Sequence, residues 1–219
     1  MTSYAAAYDA VASACRRLAA EGLVIGTAGN VSMRVPGTDD LAVTRSGAVF
    51  AQCTRDDITP VDLAGRVLSG SGTPTSEIDL HLGIYADTDA TAVVHTHAPY
   101  STAVACVLDE LPVLHYQHLL LGGPVRVAPY ATFGTPELAA QVRAALAGRQ
   151  AVLMANHGSV AIGATLDKAV EHALLLEWLA TLHHRASTLG TPRVLTEAEQ
   201  VDVITQAIRR NYGTQQENP

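Results

Sequence analysis

Two stretches constrain the fold of this chain more than any others. Residues 91–97 (TAVVHTH) and 151–158 (AVLMANHG) each begin apolar and turn polar at a histidine. The first is β-branched at its start, as in a strand that leaves a core and runs out towards a site. The second reads as a strand closed by a His-Gly turn. In a layered α/β fold such strands deliver side chains to one edge of the sheet. Helical segments alternate with them. Residues 4–21 are Ala-rich with apolar spacing and stop at Gly22. Residues 76–87 (SEIDLHLGIYAD) read as a helix, and PYSTAVACVL as another with Pro99 in its first turn. Thr135-Pro136-Glu137 opens a helix to about residue 147, and Thr165 caps a long one to about 189. Thr196 and Glu199 form a capping box for a last helix to about 210. Residues 41–44 (LAVT) and 59–63 read as short strands, and the final GTQQENP as a frayed tail. The alternation lacks strict βαβ regularity. The expected architecture is therefore an α/β layered fold with a mixed sheet, as a single domain over residues 1–219.

Composition narrows the function. At 48% hydrophobic and 16% charged residues, the 219-residue chain can bury a sizeable core and is not a disordered acidic protein. The net charge is −7, and no basic run exceeds Arg16–Arg17 or Arg209–Arg210, so a nucleic-acid footprint is lacking. No stretch approaches ~18 uncharged apolar residues, so no membrane helix is expected. The N-terminus has no basic leader and is interrupted by Asp9, which argues against a signal peptide. Cys15, Cys53 and Cys106 are odd in number, lack CxxC spacing and sit among apolar residues. They read as core thiols in a reducing compartment, and the expected location is the cytoplasm. Nine His stand against one Lys, Lys168. An amine nucleophile thus has one candidate, whereas metal or proton-transfer chemistry has many.

On a strand, His95 and His97 point to one face and can reach one ion. His157 follows the other apolar strand, and three His with an open fourth position form a catalytic zinc pattern. Glu77, at the start of the helix before the HTH strand, can supply a carboxylate ligand, a general base or both. His81, four residues on, shares its helix face and reads as a supporting or packing residue. Two Gly-containing loops, residues 26–32 (GTAGNVS) and 44–47 (TRSG), offer hydroxyls and backbone N–H groups suited to phosphate. A third, TPTSE (73–77), places two hydroxyls directly before the carboxylate. Each piece has a plainer reading: core packing for the His pair, a helix-start acid for Glu77, a turn for each loop. His115, His118, His172, His183 and His184 read as packing, solvated or interface residues. Lys168 reads as solvated surface.

In combination and order, GTAGNVSMR (26–34), TRSG (44–47), TSE (75–77), AVVHTHAP (92–99), LPVLHYQHLLLGG (111–123), APYATFGTPEL (128–138), NHG (156–158) and NYG (211–213) resemble the class II aldolase/adducin-head family, in its L-fuculose-1-phosphate aldolase branch. The resemblance implies a three-layer α/β/α fold around a mixed, mainly antiparallel sheet. It also implies a C4 homotetramer with zinc sites between subunits, one zinc ion per subunit. His95, His97 and His157 would bind zinc, and Glu77 would be the acid/base, ligating zinc when substrate is absent. Asn30, Ser46, Gly47, Thr75 and Ser76 would hold the phosphate. Tyr116 would line the site, Tyr212 would protonate the aldehyde oxygen in a neighbouring subunit, and Phe133 would shape the aldehyde pocket. The implied reaction is reversible cleavage of a ketose 1-phosphate to dihydroxyacetone phosphate and a short aldehyde such as lactaldehyde. Arg45 and Thr96 depart from residues that are often Pro and Asn in the family. Glu77 favours aldolases over the related pentulose-phosphate 4-epimerases, where Asp is usual. Methylthioribulose-phosphate dehydratases, sugar-acid phosphate decarboxylases and the non-catalytic adducin heads share the family. A zinc-hydroxide hydrolase is a further reading of the same ligands.

Overall fold

The computed structural model describes residues 3–210; Tyr212 and the tail at 213–219 lie outside the described residues. Helix α1 (Ser3–Ala20) is followed by strands β1 (Asn30–Arg34), β2 (Leu41–Thr44) and β3 (Ile58–Val61), then α2 (Ile78–Asp87), β4 (Ala92–Thr96) and α3 (Pro99–Ala105). Strands β5 (Glu110–Leu111) and β6 (Val125–Ala128), helix α4 (Pro136–Leu146) and the pair β7 (Ala151–Met154) and β8 (Gly158–Gly163) come next. Helices α5 (Leu166–Leu189) and α6 (Glu197–Arg210) complete the described chain. The sheet order is β3-β2-β1-β4-β8-β7-β6-β5, and only β6 and β7 pair in parallel. This is the expected mixed, mainly antiparallel sheet.

Both faces of the sheet are covered, which is why its central strands read as unbroken apolar runs. Side chains alternate between the layers with the period of two that a strand dictates. Ala92, Val94, Leu153 and Ala161 pack towards α1, α3 and α5. Val93, Val152, Met154 and Val160 pack towards α2 and α4. Helix α5 starts where Thr165 Oγ1 accepts from Lys168 N at 3.1 Å, the expected cap. Midway along α5, Glu177 accepts from Tyr100 N (2.9 Å), Ser101 N (2.8 Å) and Ser101 Oγ (2.7 Å). It caps the first turn of α3, which Ala98 has no side-chain oxygen to cap, and pins the chain just after His97.

Four expectations change. Residues 26–32 are not wholly a loop: Asn30 onward is strand β1, with Ser32 fully buried, because Asn30 and Ser32 find polar partners on α2. Strands β5, β6 and β8 are additions, and the helix expected over 76–87 begins at Ile78. Cys15 and Cys53 are buried, but Cys106, expected in the core, is exposed at the end of α3, where the chain leaves the sheet. Among the described residues no helix is long and apolar enough to cross a membrane.

Candidate metal centre and substrate pocket

The site lies where β1, β4 and β8 meet the start of α2. His95 pairs with Asn30 on β1 and Val160 on β8, so it sits at the emerging end of the strand that the sequence marked. His97 follows one residue beyond β4. His157 arrives on a tight turn in which Asn156 takes a left-handed conformation (φ 55°), which Asn tolerates better than most residues. The next residue must be Gly158. A Cβ there would stand 2.4 Å from the Thr96 carbonyl oxygen and 3.1 Å from His97 Cδ2. Gly29 plays the same part on the other side: its φ is 102°, and a Cβ would meet His95 O at 2.9 Å.

The three imidazoles converge, with ring centroids 4.8–5.0 Å apart and ligand nitrogens within 4.8 Å of one another. His95 Nδ1 donates to Ser159 O at 2.9 Å, which leaves the lone pair of Nε2 facing the pocket. His97 Nε2 lies 2.9 Å from it. Glu77, the residue before α2, places Oε2 3.1 Å from His95 Nε2 and Oε1 3.5 Å from His157 Nε2. Glu77 Oε1 is buried and has no hydrogen-bond partner. Two imidazole nitrogens in contact and an orphaned carboxylate oxygen call for a positive charge between them. The contacts of 2.9, 3.1 and 3.5 Å are close to the ligand edges of roughly 3.3 Å that tetrahedral zinc bonds of ~2.0–2.1 Å require, and the donor types are those of a divalent-metal site. These residues could hold a metal ion; imidazole and carboxylate ligands do not single out zinc.

Electrostatics agree. Burial pushes the Glu77 carboxyl up, but its contacts with His95, the Asn30 amide and His157 outweigh it and hold it far below the usual range. His97 is lowered to about 4 by burial and then by His95 and His157; His157 is lowered by burial and by His95. At neutral pH the site thus presents a carboxylate beside His97 and His157 in their ligating, uncharged form.

Above this centre the loops are laced by their backbones. Ser46 N donates to Thr73 O (2.9 Å), Thr75 N donates to Thr44 O (3.0 Å), and Arg45 bridges Pro74. Val31 N donates to Thr44 Oγ1 (3.1 Å), tying the same loop to β1. The result is an open pocket of about 430 Å³. Asn30, Ser46, Gly47, Thr75, Ser76, Glu77, His97, Phe133 and His157 all line it, and His95 lies buried beneath. The Asn30 side chain is engaged by Glu77 and His81, so it faces the acid rather than standing free in the loop. Arg45 is the one Lys or Arg among the lining residues; its guanidinium lies 2.6 Å from Asp57. Lys168 pairs with Glu171 on α5 and is not part of the pocket. Tyr116 is not brought there either. It sits on a two-turn 3-10 segment (Tyr116–Leu121) and lines a separate groove with Val203, Ala207 and Arg210 of α6. Sequence reasoning missed Ser159, whose contribution is a carbonyl set by strand pairing, and the buried Ser32 and Tyr85 hydroxyls. No side-chain pattern announces the first, and only the i, i+4, i+8 spacing of Glu77, His81 and Tyr85 hints at the others.

Comparison with known proteins agrees with this geometry. The family described as class II aldolase and adducin N-terminal domain matches residues 9–184. A 5-methylthioribulose-1-phosphate/5-deoxyribulose-1-phosphate aldolase of Rhodospirillum rubrum is 39% identical, over 94% of this chain and 92% of that protein. A 5-deoxy-D-ribulose 1-phosphate aldolase of Bacillus thuringiensis is 34% identical, over 91% and 93%. Among solved structures, an L-fuculose 1-phosphate aldolase superimposes with a TM-score of 0.85 at 36% identity, covering 90% of this chain and 93% of that one. The chain belongs to the class II aldolase and adducin family, on its enzymatic side.

Proposed function

We propose that this chain is a single-domain, zinc-dependent aldolase that reversibly cleaves a ketose 1-phosphate to dihydroxyacetone phosphate and a short aldehyde. The observation that carries the reading is the ionised, partly orphaned Glu77 carboxylate facing three converging imidazoles, directly beside a hydroxyl-rich double loop. His95, His97 and His157 would hold the metal. Bound there, a divalent cation supplies a Lewis acid that polarises the ketose carbonyl and eases charge build-up as the C3–C4 bond breaks. Ser46, Gly47, Thr75 and Ser76 would grip the phosphate, with Arg45 adding positive charge. That grip holds C3 near Glu77 and converts remote binding energy into orientation. As the C4 hydroxyl gives up its proton to form the aldehyde, Glu77, which rests ionised, would take up a proton and pass it to C3 of the three-carbon fragment, and would remove it from C3 in the synthetic direction. Tyr130, Ala131 and Phe133 also line the pocket and carry no charge, so an aldehyde ending in an apolar group fits. Relatives named for 5-deoxyribulose and fuculose phosphates agree with such a tail.

Assembly as a C4 homotetramer would place Tyr116 and Tyr212 at a neighbouring subunit's pocket. Exposed Tyr116, Leu120 and Trp178, with the apolar Val201, Ile204 and Ile208 of α6, support burial between copies. Three free thiols support a cytoplasmic setting. The test is a panel of ketose 1-phosphates (fuculose, rhamnulose, 5-deoxyribulose, ribulose) assayed with zinc by coupled detection of dihydroxyacetone phosphate. Release from at least one is expected; no release from any, with metal bound, would overturn the reading.

A further inference from the structure

Behind Glu77 a second set of polar side chains is wholly enclosed. Glu77, the residue that opens α2, and His81 and Tyr85 on it lie four residues apart along one side, and Asn30 and Ser32 lie two apart on one face of β1. Four helical residues rise about 6.0 Å and two strand residues about 6.6 Å, so the two rows keep step. They interleave. Tyr85 Oη lies 2.8 Å from Ser32 Oγ, Ser32 Oγ 2.6 Å from His81 Nδ1, His81 Nε2 2.5 Å from Asn30 Oδ1, and Asn30 Nδ2 2.9 Å from Glu77 Oε2. Asn30, Ser32, His81 and Tyr85 are each 3% exposed or less.

The chemistry gives this ladder a single direction. An ionised carboxylate only accepts, so Asn30 must present its NH₂ to Glu77 and its oxygen to His81. His81 therefore carries its proton on Nε2 and accepts at Nδ1. Ser32, with one hydrogen to give, gives it to Nδ1, and Tyr85 must donate to Ser32. Burial keeps both rings in role: it raises the Tyr85 hydroxyl well above its ordinary value and lowers His81 to about 3. Four hydrogen bonds thus run from Tyr85 to Glu77, all donating towards the acid.

We propose that His81 is a positioning residue: as the Nε2–H tautomer it holds the Asn30 amide in the one orientation that fixes the Glu77 carboxylate for proton transfer. Without it the amide can flip, turning its oxygen on the carboxylate. The proposal rests on Glu77 being the acid/base of the aldol reaction. Its test has two arms. In protein with ¹⁵N-labelled histidine, the resonance lost in His81→Gln should show pyrrole-type Nε2 and pyridine-type Nδ1 in the wild type at pH 7; the opposite tautomer overturns the wiring. In kinetics, His81→Leu should lose roughly 10–100-fold in kcat, the range for residues that orient a functional group, with KM and metal content unchanged. His81→Gln, which keeps an N–H for Asn30, should recover most of that loss. The double variant His81→Leu with Asn30→Leu should be no slower than Asn30→Leu alone. A loss confined to KM, a His81→Gln variant as slow as His81→Leu, or additive losses would overturn the proposal. If His81→Leu does not fold, the tautomer and the near-wild-type kcat expected of His81→Gln decide it. Should the wild type cleave no ketose 1-phosphate, the functional reading falls, and the tautomer still judges the wiring.

Discussion

Two histidines of this protein are buried to the same degree and used in opposite ways. His81, on the buried face of α2, has both ring nitrogens in hydrogen bonds and forms part of the wall behind Glu77. His118, on the segment packed against α5, is 1% exposed, and neither ring nitrogen has a partner. Burial alone therefore says nothing about role. Under α2, polar groups are arranged so that each satisfies the next; under α5, an imidazole fills space as an apolar ring would, at the cost of unmade hydrogen bonds. Substitutions in the first region should change turnover, and those in the second should change stability or nothing.

The largest effect is expected at Glu77. Glu77→Gln should retain bound metal through the three imidazoles while losing about 10²–10⁴-fold in kcat. Metal analysis beside steady-state kinetics checks this, and a fully active variant would remove Glu77 from the chemistry. The sharpest probe of the other region is pH. His118 is lowered to about 4, first by burial and then by His115 and His183, against ~6.5 when unfolded. The unfolded chain therefore binds the extra proton first, and stability should fall as pH drops from about 6.5 to 4, by on the order of 3 kcal/mol from this group. His118→Leu should flatten that slope in thermal or urea unfolding at pH 7 and pH 5. An unchanged slope would show that His118 finds a partner in solution.

Smaller effects are expected on the outer surfaces of the two regions. Arg45 is half exposed and already paired with Asp57, so its bond to a phosphate should sit at the weak end of charge-assisted bonds. Arg45→Ala should raise KM for the phosphorylated substrate roughly 10-fold, with kcat little changed. A fall in kcat instead would place Arg45 on the dry side of the pocket. Lys168, on the first turn of α5, is the control. Lys168→Ala should leave kcat and KM unchanged and shift stability by no more than about 0.5 kcal/mol, and borohydride should trap no substrate on the wild type.

Much of this was legible in the chain. The runs ending at His95 and His157 had to be strands, because only two covered faces make an uninterrupted apolar run stable. Their histidines then had to emerge at a sheet edge, and the caps at Thr165 and Thr196 mark their helices by local chemistry alone. Strand β1 was not legible. Asn30-Val31-Ser32 carries two polar residues that look like a loop until α2 supplies their partners. Residue type and spacing by themselves determined which groups could ligate a metal and which loops could meet a phosphate. Only the tertiary structure decided that Asn30 turns to the acid, that Ser159 fixes the proton of His95, and that His81 is wired while His118 is not. The reason is physical. Spacing along one element sets which side chains share a face, but a hydrogen bond's partner and direction are set by the element packed against it, which for Glu77 lies 47 residues earlier in the chain.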